Sequence, residues 1–427
     1  MQPEKFLPAK SKPGDPPSPQ SIEELGIPSF MVQDLAIRHL RQHGTASLTM
    51  LRKGLKLSYP VVESIFQQLR QQQFIDVKGT VGHDYLFSLT GPARQYAAER
   101  SEVCRYAGPA PVPLDQYARL VRYQRTLAVP NAEQLQEAFA DLVLPTETLD
   151  AIGTGLVSGR PLFVYGPSGN GKTSIMERLQ RIFEDTVFIP YAVEVDAQII
   201  SVFDPLIHRH VESDIPPPID ERWICCRRPC VMAAGGLVSS MLDLRLDERS
   251  GVYVAPLQLK ANNGLLLIDD FGRQIMSPRE LLNRWILPLD RRVDYLSLNY
   301  GLTFQIPFEL RLAFATNFEP SELADEAFLR RVPNKIYLGP PPDEAFDEIF
   351  RREFQQRELP FEAGLADLLR RLCREHNTTG LRACYPKDIC EILVAAAAYK
   401  RRPIEISRES LTSAVKNYFT RPSQSSE

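Results

Sequence analysis

No apolar run in this chain approaches the roughly 18 residues that a membrane span needs; the longest candidates, 265–268 and 392–399, are short. No bilayer-crossing segment is expected. Neither sign of charge is in excess, since 50 Lys and Arg against 53 Asp and Glu leave a net charge of -3. Any binding to nucleic acid or an anionic surface must therefore come from a local patch. Cysteine is sparse and odd in number, seven in 427 residues. That argues against a disulfide framework and for a reducing, cytoplasmic setting. Cys225, Cys226 and Cys230 follow His208 and His210, but the spacing is not a paired C-x-x-C. Buried free thiols are expected there rather than zinc. The amino terminus lacks the apolar core of a signal peptide. Residues 1–20 are proline-rich and read as a disordered tail, and residues 422–427 as a polar one.

The chain is too long for one compact core, and two or three domains are expected. Residues 21–103 form the first. A helical pattern on Met31, Leu35, Ile37 and Leu40 stops at Gly44, and a short helix covers 48–55. A third helix starts after Ser58, a candidate N-cap, with Pro60 in its first turn and Val61, Val62, Ile65, Phe66 and Leu69 at helical spacing. FIDVKGTVGHDYLFSLT then alternates around Gly79 and Gly82 as a β-hairpin would, and an amphipathic helix follows from Pro92. This order looks like a winged helix-turn-helix. The third helix is glutamine-rich, with Arg70 its one basic residue, and Arg52, Lys53, Lys56 and Lys78 add a modest basic fringe. Protein docking and DNA binding both remain open, with protein favoured. Residues 104–125, with prolines at alternate positions in GPAPVPLDQY, read as an extended, semi-rigid linker.

Residues 126–341 alternate strand and helix signals, which predicts an α/β core with a parallel sheet. Residues 342–421 carry four helical patterns. The stretch FVYGPSGNGKTS fits G-x-x-x-x-G-K-[ST], with an apolar strand before it and a helical pattern after it. Its glycines let backbone N–H groups wrap a polyphosphate, and the helix start adds positive potential. Gly166, Pro167, Ser168, Gly169, Asn170, Gly171, Lys172, Thr173 and Ser174 are thus candidates for binding ATP, with Thr173 on Mg²⁺. In ANNGLLLIDDF a buried strand ends in Asp269, suited to Mg²⁺, and Asp270, suited to orienting a water. LRLAFATNFEP ends a second strand in Asn317, which can bond a γ-phosphate or that water. DEAFLRRVPNK pairs Arg330 and Arg331 near the end of a short helix.

In this order the motifs resemble the AAA+ ATPase superfamily over residues 126–421, most like its MoxR-like/helicase-type branch, with an N-terminal winged helix-turn-helix added. KANNGLLLIDD looks like the A-x-G-G-x-L-x-x-D-E signature shared by the MoxR-like and enhancer-activator branches. RRVDYLSLNYGLTFQIPFEL is similar to the strand pair those two branches carry before sensor 1. The resemblance implies a P-loop NTPase core with a helical C-terminal lid. It also implies a ring-shaped homo-oligomer, usually hexameric, with ATP and Mg²⁺ between subunits, and remodelling of a macromolecular client. It implies catalytic roles for Asp270, for Asn317 as sensor 1, and for Arg330 or Arg331 as an arginine finger from a neighbour. The family's sensor 2 arginine is best matched by Lys387, with Arg382 nearby. Two further departures stand out. Asp270 replaces the usual Glu, which leaves a slow or non-hydrolysing nucleotide-gated scaffold as an alternative reading, and a long insertion precedes Asp269. The insertion's Trp223, Ile224, Val231, Met232 and Leu237 suggest a packed, client-contacting element, and Gly235-Gly236 a tight turn or a mobile loop tip.

Overall fold

The computed structural model describes residues 15–82, 84–125, 129–212, 219–359, 361–377, 380–404 and 406–419. The chain divides into two compact units, each assembled from three stretches: Met1–Val129, Phe183–Leu266 and Asn283–Arg311 in one, Pro130–Ile182, Leu267–Leu282 and Leu312–Glu427 in the other. Among the described residues no helix is long and apolar enough to cross a membrane.

In the first unit the helical periodicity is realised as helices Ser29–His43, Leu48–Leu55 and Tyr59–Gln71. Gly44 ends the first at a positive φ of 73°, its N–H donating to Leu40 O. The Ser47 hydroxyl caps the second by accepting the Met50 N–H. Ser58 stands at the start of the third, but its hydroxyl donates to Pro19 O instead of capping. Strands Ile75–Val81 and Asp84–Leu89 pair antiparallel, with a bulge between Val77 and Gly79, and Thr45–Ser47 joins the far side of Asp84–Leu89. Helix Gly91–Val103 comes next, capped by the Thr90 hydroxyl. Its buried face is only Ala93 and Ala97, so it is less amphipathic than its sequence suggests.

Two expectations need correction. Residues 1–14 lie outside the described residues, as do 420–427 with the expected polar tail, but 15–20 are held in place. Pro17 bridges Ile219, and Pro16 O accepts the Asp220 N–H at 3.0 Å. Nor is 104–125 an extended linker. Val112–Pro113 is a strand paired in parallel with Val193–Glu194, and Leu114–Arg125 is a helix. Ala110 is fully buried in one core with Leu35, Leu55, Phe87, Ala192, Ile199 and Val252. Alternating prolines here set an edge strand rather than a tether, because Pro at such an edge gives up no ladder bond the sheet needs.

That strand edges a five-stranded mixed sheet ordered Arg245–Asp247, Val252–Val254, Gln198–Ser201, Ala192–Val195, Val112–Pro113. The helix Leu114–Arg125 is bolted to the ANNG segment. Asn262 Nδ2 donates to Tyr117 Oη (2.8 Å) and Asn263 Nδ2 to Val121 O (2.7 Å), and Gln124 Nε2 donates to Asn263 Oδ1 (3.0 Å). All of these amides are buried, so each must find a partner within the protein. Arg222 and Asp220 form a fully buried ion pair at 2.8 Å, and Arg222 Nη1 also donates to Leu25 O and Pro111 O. In the insertion, Trp223, Val231 and Leu237 are buried while Met232 is exposed. Residues 235–236 form a tight turn, and 213–218 lie outside the described residues. His208 accepts the Asp204 N–H at Nδ1 and meets Lys260 O at Nε2. Burial pushes the Cys226 thiol up to about 12 and Cys230 up to about 11. The strand pair Val293–Ser297 and Thr303–Pro307 is an antiparallel hairpin turning at Gly301 (φ 91°).

The second unit is built on parallel pairing. Leu162–Tyr165 pairs in parallel with Arg311–Thr316 on one side and Asn334–Tyr337 on the other. Leu265–Ile268 lies beyond Arg311–Thr316. Four further helices, Asp343–Gln356, Ala363–His376, Tyr385–Tyr399 and Arg408–Tyr418, close around Phe346, Phe350, Phe354, Leu369, Ile389 and Val415. The three phenylalanines recur every four residues, which places them on one face of their helix.

Candidate nucleotide site

The site starts where the strand Leu162–Tyr165 runs out. Gly166 has φ 134°, and a Cβ there would stand 2.4 Å from Leu338 O, so no side chain fits. Gly169 (φ 85°) and Gly171 (φ 88°) are also left-handed, the second directly before helix Lys172–Leu179. The loop thus folds on glycines at the positions where backbone curvature demands them. Asn170, buried within it, donates from Nδ2 to Leu338 O (3.2 Å) and accepts the Ala383 N–H at Oδ1 (3.3 Å). Cys384 N–H donates to Gly169 O at 2.9 Å. The loop is therefore tied to the sheet and to the start of helix Tyr385–Tyr399.

Lys172 is buried, and its ammonium donates to Gly166 O and Pro167 O, both at 2.8 Å. Burial lowers its pKa, and the nearby Asp270 and Asp269 carboxylates act in the opposite direction. The two aspartates leave the sheet at the end of Leu265–Ile268, where parallel sheets open toward ligands. The Asp270 N–H donates to Asp269 Oδ1 at 3.0 Å, and Asp270 has φ 50°. The neighbouring strand then fixes Phe271. Its N–H donates to Ala315 O (2.7 Å), and the buried Thr316 hydroxyl donates to Phe271 O (2.5 Å).

These groups share one cleft of about 630 Å³. Ser168, Gly169, Asn170, Gly171, Lys172, Thr173 and Ser174 line it, together with Asp269, Asp270, Asn317 and Lys387. Gly166 and Pro167 lie behind the lining and contribute carbonyls to Lys172. Arg382 does not line the cleft, though its side chain lies against Gly169. Arg330 and Arg331 are not in the lining either. Arg330 is exposed at the C-cap of helix Glu326–Leu329, and Arg331 is half-buried beside it.

The far wall contains none of the sequence motifs. It consists of the loop 141–144 together with Ile349, Arg352, Glu353, Gln356 and Arg357 from helix Asp343–Gln356 and its end, and Asp388. Arg352 Nη1 donates to Ala140 O at 2.8 Å, and Arg178 pairs with Asp141 at 2.9 Å. The only trace of this wall in the sequence is Glu348 spaced four residues before Arg352, which reads as an ordinary helix-surface pair.

The residues present suit a Mg²⁺-nucleotide. The loop keeps its curvature at Gly166 and Gly169, where a side chain would collide with Leu338 O and with Cys384 Sγ. Thr173, Asp269 and Asp270 supply the hard oxygen donors that Mg²⁺ prefers. The glycine loop lies between a parallel strand and a helix, and the carboxylate strand is one place removed in the sheet. The core has the α/β fold of a P-loop NTPase.

Comparison with known proteins adds little to this geometry. Residues 342–417 match a family described as Domain of unknown function (DUF8689). No curated protein matches the chain in sequence. Among solved structures the chain is similar to domain III of the Thermotoga maritima replication initiation protein DnaA, at 14% identity and a TM-score of 0.38, covering 69% of this chain and all of that one. It is also similar to the Thermotoga maritima RuvB P216G mutant, at 12% identity and a TM-score of 0.35, covering 67% of this chain and 70% of that one. Scores this low leave the assignment resting on the geometry of the site itself.

Proposed function

We propose that this chain is a Mg²⁺-dependent ATPase of the AAA+ type, most like the MoxR-like branch, that remodels or assembles a protein client. The observation that carries the reading is the convergence of Lys172, Thr173, Asp269, Asp270 and Asn317 on one cleft. The backbone N–H groups of the glycine loop and the first turn of helix Lys172–Leu179 bind the phosphates. Lys172 leaves the carbonyls of Gly166 and Pro167 for the β- and γ-phosphates. Thr173 and Asp269 would hold Mg²⁺, which when bound neutralises charge on the phosphates. Asp270 and Asn317 orient the attacking water. Arg330 or Arg331 reaches the site from a neighbouring subunit of a ring, consistent with their absence from the cleft lining of their own chain.

The four C-terminal helices act as the lid, with Lys387 as its charged contact to the nucleotide. Residues 21–103 recruit the client. Protein docking is favoured over DNA because part of the basic fringe is already neutralised, Arg52 being paired with Glu221 at 2.8 Å. The outer face of helix Tyr59–Gln71 exposes Tyr59, Glu63 and Gln67 beside Arg70.

The deciding experiment measures Mg²⁺-dependent ATP binding and phosphate release by the purified chain and by Lys172→Ala. Binding and release that vanish in the variant support the reading. An intact chain without affinity for Mg²⁺-ATP ends it. A duplex titration at two salt concentrations tests the partner. Tight binding that weakens steeply with salt would replace the protein client with DNA.

A further inference from the structure

Gln274 belongs to none of the sequence motifs, yet it closes the turn that carries both aspartates. Its Oε1 accepts the Gly272 N–H at 2.8 Å, and its Nε2 donates to Asp269 O at 2.9 Å. Inside the turn the Arg273 N–H donates to Asp270 O at 2.9 Å. Asp270 stands at φ 50°, a left-handed backbone that is costly for an L residue, although Asp tolerates it better than most. The sheet imposes one side of it through Phe271, bonded to Ala315 and Thr316. The other side is Gln274. Gly272, at φ 103°, packs so closely that an added Cβ would stand 2.9 Å from Leu323 Cδ2. The turn is therefore packed against Leu323 at Gly272 and braced by the Gln274 side-chain amide.

We propose that Gln274 is a positioning residue for the Asp269–Asp270 pair. This rests on the reading of the cleft as a Mg²⁺-nucleotide site. Gln274 acts through the backbone, holding the left-handed turn that aims the Asp270 carboxylate. The short side chain makes this matter. Asp reaches one methylene less far than Glu and has one rotatable bond fewer with which to correct a displaced backbone. A misplacement of about 1 Å can cost roughly 100-fold in rate.

The test uses the full-length chain and two variants. Gln274→Met keeps the side-chain length and removes both hydrogen bonds. Gln274→Glu keeps the acceptor for Gly272 and loses the donor to Asp269 O. Gln274→Met is expected to lower kcat by about 10- to 100-fold. ATP affinity measured in EDTA should stay within about twofold, and half-saturating Mg²⁺ for binding a fluorescent ATP analogue should rise several-fold. Gln274→Glu, which sets a carboxylate oxygen against the Asp269 carbonyl, should lower kcat at least as far as Met, and it carries the test alone if Met does not fold. A kcat within about twofold of the parent in the folded variants overturns the proposal while leaving the site reading intact. So does an EDTA affinity that falls in step with kcat, which would mark a general loss of structure. A parent chain that binds no Mg²⁺-ATP overturns both.

Discussion

The Lys172 ammonium rests on two backbone carbonyls of its own loop, and a phosphate must draw it off them. Removing that charge leaves an incoming triphosphate without its main side-chain cation. Lys172→Ala should therefore lose ATP turnover by about 100-fold or more, the scale seen when a preorganised charge-stabilising group is deleted. The check is phosphate release at saturating ATP. Gly169 gives a steric counterpart. Its φ of 85° disfavours any Cβ, and a built Cβ would lie 2.7 Å from Cys384 Sγ. The left-handed backbone alone costs an L residue about 1–2 kcal/mol, or roughly 5- to 30-fold. Gly169→Ala should weaken ATP binding by at least that factor, measured by titration of a fluorescent analogue. A substitution at Ser168, exposed on the same loop, should change it far less.

At the scale of elements, the buried pair of Arg222 and Asp220 joins three separate stretches of chain, reaching Leu25 O and Pro111 O from the turn before strand Trp223–Arg227. Deleting one partner strands a charge without water. Arg222→Ala should cost about 3–5 kcal/mol in urea unfolding, and replacing both residues with apolar ones of similar volume should recover much of it. The thiols give a second check. Burial pushes Cys226, Cys373 and Cys390 up to about 12, so at pH 8 they stay protonated and should alkylate far more slowly than the half-buried Cys104. Mass spectrometry of the labelled peptides reads this directly. Elements whose apolar period is local were legible in the sequence. Val61, Val62, Ile65, Phe66 and Leu69 define their helix without help from elsewhere. Helix Leu114–Arg125 was not, because its partners Phe188 and Asn263 lie some 64 and 139 residues from Gln124, and alternating prolines read locally as a tether. The same holds at the cleft. The glycine loop and the aspartate pair are contiguous motifs, whereas Arg352 meets Ala140 across 212 residues and nothing near either one announces the contact.

At the scale of the whole molecule, the proposed assembly makes a quantitative claim. If Arg330 or Arg331 acts on a neighbour's nucleotide, Arg330→Ala/Arg331→Ala together should leave ATP affinity nearly unchanged and cut turnover by roughly 10³-fold or more. Specific activity of the parent should also rise with protein concentration through an assembly threshold. Parallel loss of affinity and turnover, or activity independent of dilution, would remove the shared-site mechanism. The core that unites Leu35, Leu55 and Phe87 with Ala110, Ala192, Ile199 and Val252 has a consequence of another kind. Trimming the gene to start at residue 126 would not liberate a tidy catalytic fragment; it would leave an oily scar along 192–252. The amino-terminal module is thus not an exchangeable attachment: grafting a different one would require rewriting residues well over a hundred positions downstream in the same step.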